Sequence, residues 1–291
     1  MRVASNKLKD ITAFFHSELK DLYSASEIEA MIDAATERYL GFSRTERLTK
    51  ANENLNQSDL LKLYDCCKDL AKHIPLQYIL GEAWFYNLKF YVNNSVLIPR
   101  PETEELTDLI IRENKTAGSF LDIGTGSGCI PVTLKSKLPQ ADVFACDISA
   151  QALAVASKNA QSHHAAITFF EADVLNTGAF LKQLPVASVD VIVSNPPYIK
   201  ESEAASLDKH VIGQEPHLAL FVTGDDDIVF YKKIIDLCEH LLKSSGKLYF
   251  ELNPLTASFV NRYALASGLF ESTELLKDMS GNMRFLKAVK L

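Results

Sequence analysis

The sequence predicts an α/β protein: a mostly parallel sheet with helices on both faces, preceded by a small all-helical bundle. Three observations carry that reading. From about residue 119, short apolar runs of strand length alternate with amphipathic stretches of helix length. The first of those runs ends in a glycine-rich turn, which suits a parallel strand feeding a crossover helix. Residues 1–80 carry only helical spacing, with Gly41 as their single glycine.

Composition agrees with a soluble globular chain. At 291 residues there is room for one large domain or two unequal ones, enough to build a core without disulfide or metal staples. Apolar residues make up 47% and charged residues 23%, which excludes wholesale disorder. The net charge of −7 argues against a protein whose main task is gripping phosphate backbones. The five cysteines, Cys66, Cys67, Cys129, Cys146 and Cys238, are odd in number and lack C-x-x-C spacing. Free thiols in a reducing compartment are expected. Charge interrupts every apolar run of the first twenty residues, and nowhere is there an apolar stretch near the ~18 residues of a membrane span. These features lead to the expectation of a cytoplasmic protein with no membrane association.

In the helical region, Ile11, Phe14, Phe15, Leu19 and Leu22 share one face, as do Ile28, Met31, Ile32, Ala35 and Tyr39. Ser26 with Glu29, and Ser43 with Glu46, read as capping boxes. A last amphipathic helix runs through Leu60, Leu63, Tyr64, Cys67, Leu70 and Ala71 and is stopped by Pro75. A short hairpin then joins two domains. Its β-prone runs are Trp84–Tyr86 and Phe90–Val92, with Asn93-Asn94 as a turn before Val96–Ile98. Pro101 opens a helix with acids in its first turn. Strand-like runs follow at 119–123, 143–146, 167–171, 189–194 and 247–252, separated by helical stretches at 128–137, 150–162, 178–183 and 227–243. Runs at 271–277 and 284–289 suit a hairpin, and so an antiparallel C-terminal edge. The expected organisation is a helical domain over 1–80, a hairpin linker over 81–100 and an α/β domain over 101–291.

Three constellations could carry chemistry. Asp122-Ile123-Gly124-Thr125-Gly126-Ser127-Gly128 ends the first strand, and its glycines let the chain turn sharply and admit a ligand against main-chain atoms. It fits neither the dinucleotide fingerprint, because Cys129 stands three residues after Gly126, nor a Walker loop. A nucleoside-type ligand is left, beside the plainer reading of an ordinary tight βα turn. Asp147 ends the second strand, where an acid accepts hydrogen bonds from two ribose hydroxyls, although a helix-capping role is open to it too. Asp173, with Val174 after it, sits where an adenine amino group could be read.

The third constellation, Asn195-Pro196-Pro197-Tyr198, follows the fourth strand directly. Two prolines stiffen the chain at the rim where open α/β sheets bind ligands. The Asn195 side-chain oxygen and the Pro196 carbonyl can each accept one N–H of a planar –NH₂ group while Tyr198 stacks on its face. Such a grip aims the nitrogen lone pair at an electrophile.

Asp122–Gly128, Asp147 and Asn195–Tyr198 together resemble the S-adenosylmethionine-dependent amino-methyltransferases. Pro75–Gly81, Leu97–Glu104, and Glu215-Pro216 with Ala219-Leu220 narrow the resemblance to the release-factor glutamine methyltransferases (PrmC/HemK family). That resemblance implies a helical substrate-recognition domain, a hairpin linker and a seven-stranded Rossmann-like methyltransferase domain. It implies S-adenosylmethionine as methyl donor, no metal, and methylation of the side-chain amide of the Gln in the Gly-Gly-Gln loop of peptide chain release factors. Asn195, Pro196 and Tyr198 would be catalytic. Asp122, Gly124, Thr125, Gly126, Ser127, Gly128, Asp147, Asp173, Val174 and Asn195 would bind the donor. Asn195, Pro196, Pro197, Tyr198 and Arg100 would bind the substrate. A monomer without stable nucleic-acid binding is expected. The sequence departs from the family at Glu251-Leu252-Asn253-Pro254-Leu255-Thr256 and at Val174, differences expected to touch peripheral contacts.

Simpler roles fit other polar residues. His163-His164 suits a helix terminus and Asp225-Asp226-Asp227 a helix start, rather than metal ligation. Rival functions are a ribosomal-protein glutamine methyltransferase, a non-catalytic scaffold and a DNA adenine methyltransferase. Against the last stand seven acids (Glu201, Glu203, Asp208, Glu215, Asp225, Asp226, Asp227) facing one base (Lys209) within 201–227, a stretch that should repel a duplex.

Overall fold

The computed structural model describes residues 3–200, 203, 213–222, 224 and 226–291. Glu201, Asp208, Lys209 and Asp225 lie outside the described residues. The chain divides into two compact units, one helical and ending at Gly81, the other beginning at Glu82; Gly213 and Gln214 belong with the helical unit.

The helical unit contains α1 (Leu8–Leu19), α2 (Ala25–Leu40), α3 (Arg44–Thr49), α4 (Gln57–Leu70) and α5 (Leu76–Leu80). Leu8, Ile11, Phe15 and Leu19 of α1 pack with Ile28, Ile32 and Ala35 of α2 and Leu63, Cys66 and Leu70 of α4. Leu22 lies beyond the end of α1 and is exposed. The box that starts α2 is Ser24 with Glu27 rather than Ser26 with Glu29. Glu29 is taken instead by Arg47, a buried guanidinium that donates to Glu29 at 2.5 Å and to Asp33 at 2.6 Å. The expected box of Ser43 with Glu46 starts α3. Helix α4 ends before Pro75, where His73 takes a φ of +63°, and Pro75 caps the start of α5 instead of merely stopping α4. Cys66 and Cys67 are buried, and desolvation pushes both thiols up to about 12.

The second unit opens with a hairpin, β1 (Ala83–Phe85) and β2 (Leu88–Phe90), whose turn is Tyr86-Asn87 with φ of +51° and +60°. The hairpin is thus shorter than the sequence suggested, and Val96–Ile98 forms no strand. Tyr86 tolerates the left-handed turn because Glu104 accepts its backbone N–H at 2.7 Å and Asp108 its hydroxyl at 2.9 Å. Asn93 accepts the Ser95 N–H in a local turn, so the two asparagines punctuate a loop and not a hairpin.

Then follow α6 (Pro101–Glu113), β3 (Ser119–Ile123), α7 (Cys129–Lys137), β4 (Asp142–Asp147), α8 (Ala150–Ser162), β5 (Thr168–Glu171), α9 (Thr177–Phe180), β6 (Val189–Ser194), β7 (Ile199–Lys200), α10 (His217–Leu220), β8 (Phe221–Val222), α11 (Val229–Leu241), β9 (Leu242–Glu251), α12 (Ala257–Ala266), β10 (Phe270–Lys277) and β11 (Met283–Lys290). Seven strands form one sheet in the order β10-β11-β9-β6-β3-β4-β5. The pairs among β9, β6, β3, β4 and β5 are parallel; β11 is antiparallel to both its neighbours. Side chains alternate between the two faces. Phe120, Val191, Val193 and Tyr249 meet α6 and α7, whereas Leu121, Ile123, Ile192 and Leu248 meet α11 and α12.

Helix α12 and the two-residue pair β7–β8 were not legible in the sequence. Helix α12 buries only Ala257, Val260 and Ala264, while Phe259 and Leu265 are exposed on its other side, so its apolar period is blurred. Strand β9 begins directly at the end of α11, five residues earlier than its apolar run, because Leu242 already pairs with Val189.

The order β6-β3-β4 makes β3 the strand from which the chain first proceeds to one side and later returns to the other. The C-terminal ends of β3 and β6 therefore flank the crevice where such sheets take ligands. Gly128, which caps α7 at a φ of +78°, is a tight point of this arrangement: a Cβ there would lie 3.0 Å from the Cβ and 3.1 Å from the Cα of Ala156 in α8. We expect Gly128→Ala to lower stability by roughly 1–3 kcal/mol through backbone strain and this clash. Thermal melting reads it, and an unchanged midpoint would contradict the packing described.

Candidate active site

At the switch point lies a cavity of about 390 Å³, within the range of small-ligand sites. Its wall comes from five places: Ser95–Thr103, the glycine loop, the ends of β4 and β5, Ser194–Pro197, and the region from Pro216 to Ile234. The sheet brings these together. The Ser194 hydroxyl donates to the Ile123 carbonyl at 2.6 Å, fastening the end of β6 to the end of β3. The backbone N–H groups of Gly124 and Thr125 both donate to the Cys146 carbonyl at 2.9 Å, folding the loop over the end of β4.

Gly124 and Gly126 have φ of +78° and +54°, and a Cβ on either would meet nothing within 4 Å. The loop thus presents bare backbone to open space, as a cradle for a ligand does. Asp147 accepts the Gly126 N–H on one oxygen and the Ser149 N–H on the other, each at 2.9 Å. These bonds orient the carboxylate and leave lone pairs for further donors, such as a diol. Burial pushes its pKa up, an effect its backbone donors partly offset. Asp122 is 1% exposed, and neither of its oxygens has a hydrogen-bond partner of good geometry. Desolvation pushes this carboxyl up to about 7, offset only in part by the nearby Thr125 hydroxyl.

Of the expected donor-binding residues, Gly124–Ser127, Asp147, Asp173, Val174 and Asn195 line the cavity. Asp122 and Gly128 lie outside its wall. Asp173 accepts the Leu175 N–H at 2.8 Å and so holds the turn after β5. Pro196 and Pro197 line the cavity beside Asn195, while Tyr198 lies just beyond them. The Tyr198 hydroxyl donates to Glu251 at 3.4 Å and its carbonyl accepts from Asn253 at 3.3 Å.

Arg100 also lines the cavity, but its guanidinium is engaged, donating to the buried Glu215 at 2.5 Å. Glu215 further accepts the Ile98 N–H at 3.4 Å. This pair revises the electrostatic expectation for residues 201–227. Glu215 is neutralised by Arg100, Asp226 by Lys232 at 2.8 Å and Asp227 by Lys200 at 2.5 Å, all three bases lying outside that stretch. With three of its seven acids paired in this way, the stretch is a weaker argument against a polyanion than its composition implied. Asp226 also accepts the Ile228 N–H just before α11. His163 caps the end of α8 and its ring meets the Lys89 carbonyl at 2.8 Å. Among the described residues, no cluster of three or more His, Cys, Asp or Glu is placed to hold a metal ion.

Three residues at the site were missed in the sequence. Thr103 accepts from the Asn195 amide at 3.3 Å and donates to Glu251 at 2.7 Å. Glu251, at the end of β9, is 1% exposed, and burial pushes its pKa up to about 7. Asn159 accepts the Tyr91 N–H at 2.7 Å and donates to the carbonyls of Tyr91 and Ser127, pinning the glycine loop to α8. A lone amide on the buried face of an apolar helix was the signal for Asn159. Asn253, expected to be peripheral, holds the carbonyl of Tyr198.

Comparison with known proteins agrees with this geometry. A methyltransferase small domain model matches residues 103–277, and a PrmC N-terminal domain model matches residues 12–81. The release factor glutamine methyltransferase of Flavobacterium psychrophilum is 40% identical over 289 residues, covering 96% of this chain and 98% of the relative. The chain belongs to the release factor glutamine methyltransferase family. The family's Bacteroides thetaiotaomicron member is 39% identical over 278 residues, with 96% and 98% covered. Among solved structures, a methyltransferase from Pyrococcus furiosus aligns with a TM-score of 0.51 at 17% identity over 81% of this chain and 99% of that one, a likeness of fold alone. No helix among the described residues is long and apolar enough to cross a membrane.

In this family member the Arg100–Glu215 pair ties the segment before α6 to the wall near α10. Arg100→Ala should leave a buried carboxylate unpaired and cost roughly 2–3 kcal/mol, less than a fully buried pair because Arg100 is partly exposed. Denaturant melts of Arg100→Ala and of the Arg100→Ala/Glu215→Ala double variant check this. The double variant should recover part of the loss, and a purely additive result would contradict the pairing.

Proposed function

We propose that this protein transfers a methyl group from S-adenosylmethionine to the side-chain amide nitrogen of the Gln in the Gly-Gly-Gln loop of peptide chain release factors. The observation that carries the proposal is the placement of Asn195-Pro196 on the wall of the same cavity as the glycine loop and Asp147. A donor site and a grip for a planar –NH₂ group are thereby neighbours. Full-length similarity to release factor glutamine methyltransferases supports the choice of substrate.

The residues present fit such a donor. Asp147, already oriented by two backbone donors, suits the ribose hydroxyls. The bare backbone at Gly124 and Gly126 would admit the methionine portion, and Asp173 and Val174, on the same cavity wall, would meet the adenine. The buried Asp122 carboxylate beneath the loop favours a cationic ligand. When bound, the donor supplies a sulfonium-activated methyl group, whose carbon–sulfur bond breaks with its electron pair remaining on sulfur.

The protein's part is to make an amide nitrogen attack. An amide lone pair is delocalised into its carbonyl, so the nitrogen is a poor nucleophile. Accepting its two N–H groups at Asn195 Oδ1 and the Pro196 carbonyl holds the nitrogen fixed and raises its electron density. The prolines keep these acceptors rigid, and Tyr198, tied by its hydroxyl and its carbonyl just beyond the cavity wall, anchors the end of the segment. The proton leaves the nitrogen after transfer, when N-methylation has made that N–H strongly acidic.

The proposal is tested by offering labelled donor with purified release factor, ribosomal protein and duplex DNA in parallel. Label on the Gly-Gly-Gln glutamine is the expected result; label on ribosomal protein or adenine instead would overturn it. Asn195→Ala should lower kcat by about 10²–10³-fold, the usual cost of one preorganised hydrogen-bonding group, with donor affinity nearly unchanged. Asp147→Ala should do the reverse, weakening donor binding by roughly 10–100-fold for the lost charge-assisted bonds. Calorimetry beside single-turnover kinetics separates the two, and equal losses in both variants would contradict the division of roles.

A further inference from the structure

A chain of hydrogen bonds leads away from the site: Asn195 Nδ2 to Thr103 Oγ1 at 3.3 Å, Thr103 Oγ1 to Glu251 Oε2 at 2.7 Å, and Tyr198 Oη to Glu251 Oε1 at 3.4 Å. It joins two members of the Asn-Pro-Pro-Tyr segment to one carboxylate, through α6 on one side and directly on the other. We propose that Glu251 and Thr103 are positioning residues that set the polarity of Asn195, so that its oxygen and not its –NH₂ faces the substrate amide. The inference rests on the reading of Asn195 as acceptor for a substrate –NH₂ group.

An ionised carboxylate only accepts, so the single Thr103 proton must go to Glu251. Thr103 Oγ1 then has only lone pairs to offer Asn195, which must turn its Nδ2 towards Thr103. The Asn195 oxygen is left for the cavity. Were Glu251 protonated towards Thr103, the chain could run in reverse, with Thr103 donating to the Asn195 oxygen and the Asn195 –NH₂ turned to meet a substrate –NH₂. Two donors would then face each other. Glu251 thus holds a choice that Asn195, nearly symmetric in shape, cannot make for itself.

The surroundings keep that carboxylate under control. Facing it are Arg284 of β11, Glu102 and Thr103 of α6, Tyr198, Tyr231 of α11 and Cys129 of α7. Burial is the largest influence and raises its pKa to about 7, while Arg284 and the hydroxyl donors favour the ionised form. Protonation of Glu251 below about pH 7 removes the constraint on the Thr103 proton and permits the reversed chain, so kcat rises with pH through that region. Asp122 titrates in the same range but lies beneath the glycine loop, so measurement at saturating donor removes its influence on binding.

The test compares the wild type with Thr103→Val, Thr103→Ser and Glu251→Gln on release factor at saturating donor. Thr103→Val and Glu251→Gln should lower kcat on the order of tenfold or more, with donor affinity and KM within about threefold, because only the orientation of the grip is lost. Thr103→Ser, which keeps the hydroxyl, should restore most of the rate. The rise of kcat through about pH 7 should be present in wild type and absent in Glu251→Gln. Wild-type rates in Thr103→Val, or an unchanged pH limb in Glu251→Gln, overturn the proposal. If Glu251→Gln melts far below wild type, the Thr103 pair decides alone. A wild-type enzyme that leaves the glutamine unmodified fails the underlying reading, whereas one that methylates it while Thr103→Val matches it fails only the relay.

Discussion

The registration of β3 against β6 is the constraint on which the site depends. These strands are neighbours in the sheet but separated in sequence by β4 and β5 and their helices, and their ends are joined by the bond from the Ser194 hydroxyl to the Ile123 carbonyl. The residue after each end matters: the glycine loop begins at Gly124 and the proposed amide grip at Asn195. A shift of one residue in β6 would send Asn195 to the opposite face, because side chains alternate, and a shift in β3 would displace the glycine loop in the same way. The parallel register and the apolar layers on both sides therefore do chemical work at a distance. Phe120, Val191 and Val193 on one face, and Leu121 and Ile192 on the other, fix the height at which two loops meet.

Much of this was legible in the chain because the signals were local. A five-residue strand built on Phe120, Leu121 and Ile123 and followed by alternating glycines, an acid at the next strand end and two prolines after a third are each readable within ten residues. The helical unit was legible for the same reason, apart from one cap: Ser24 and Ser26 stand two apart, each with an acid three residues later, and Glu29 is engaged by Arg47 and His16 while Glu27 completes the box. The hairpin is tighter than its β-prone runs suggested, turning at Tyr86-Asn87, and the turn at Asn93-Asn94 leads into no strand. Contacts from Glu104 and Asp108, eighteen and twenty-two residues away, stabilise the turn that forms.

What could not be read was whatever depends on long-range pairing. Thr103 looked like one polar residue in an acidic helix start, and Glu251 like the end of a strand; 148 residues separate them, yet they share a 2.7 Å bond. Arg100 and Glu215 are 115 residues apart. The acidic character of residues 201–227 was counted without the partners of Glu215, Asp226 and Asp227, whose bases Arg100, Lys232 and Lys200 lie outside the stretch. The distinction between a nucleic-acid and a protein substrate therefore rests on the similarity to release factor glutamine methyltransferases and not on that stretch. Asn253 shows the converse: a departure from the family's usual sequence stands in direct contact with Tyr198 and holds the segment it was expected to leave alone.

The central claim is that one cavity holds a methyl donor at the glycine loop and a glutamine amide at Asn195-Pro196, in line with each other. A crystal structure with S-adenosylhomocysteine and a Gly-Gly-Gln peptide tests it most directly. The account predicts the glutamine nitrogen bonded to the Asn195 side-chain oxygen and the Pro196 carbonyl, and about 3–4 Å from where the methyl group would sit on the sulfur. A glutamine side chain bound away from these two acceptors, or a nucleoside whose ribose does not meet Asp147, would contradict it.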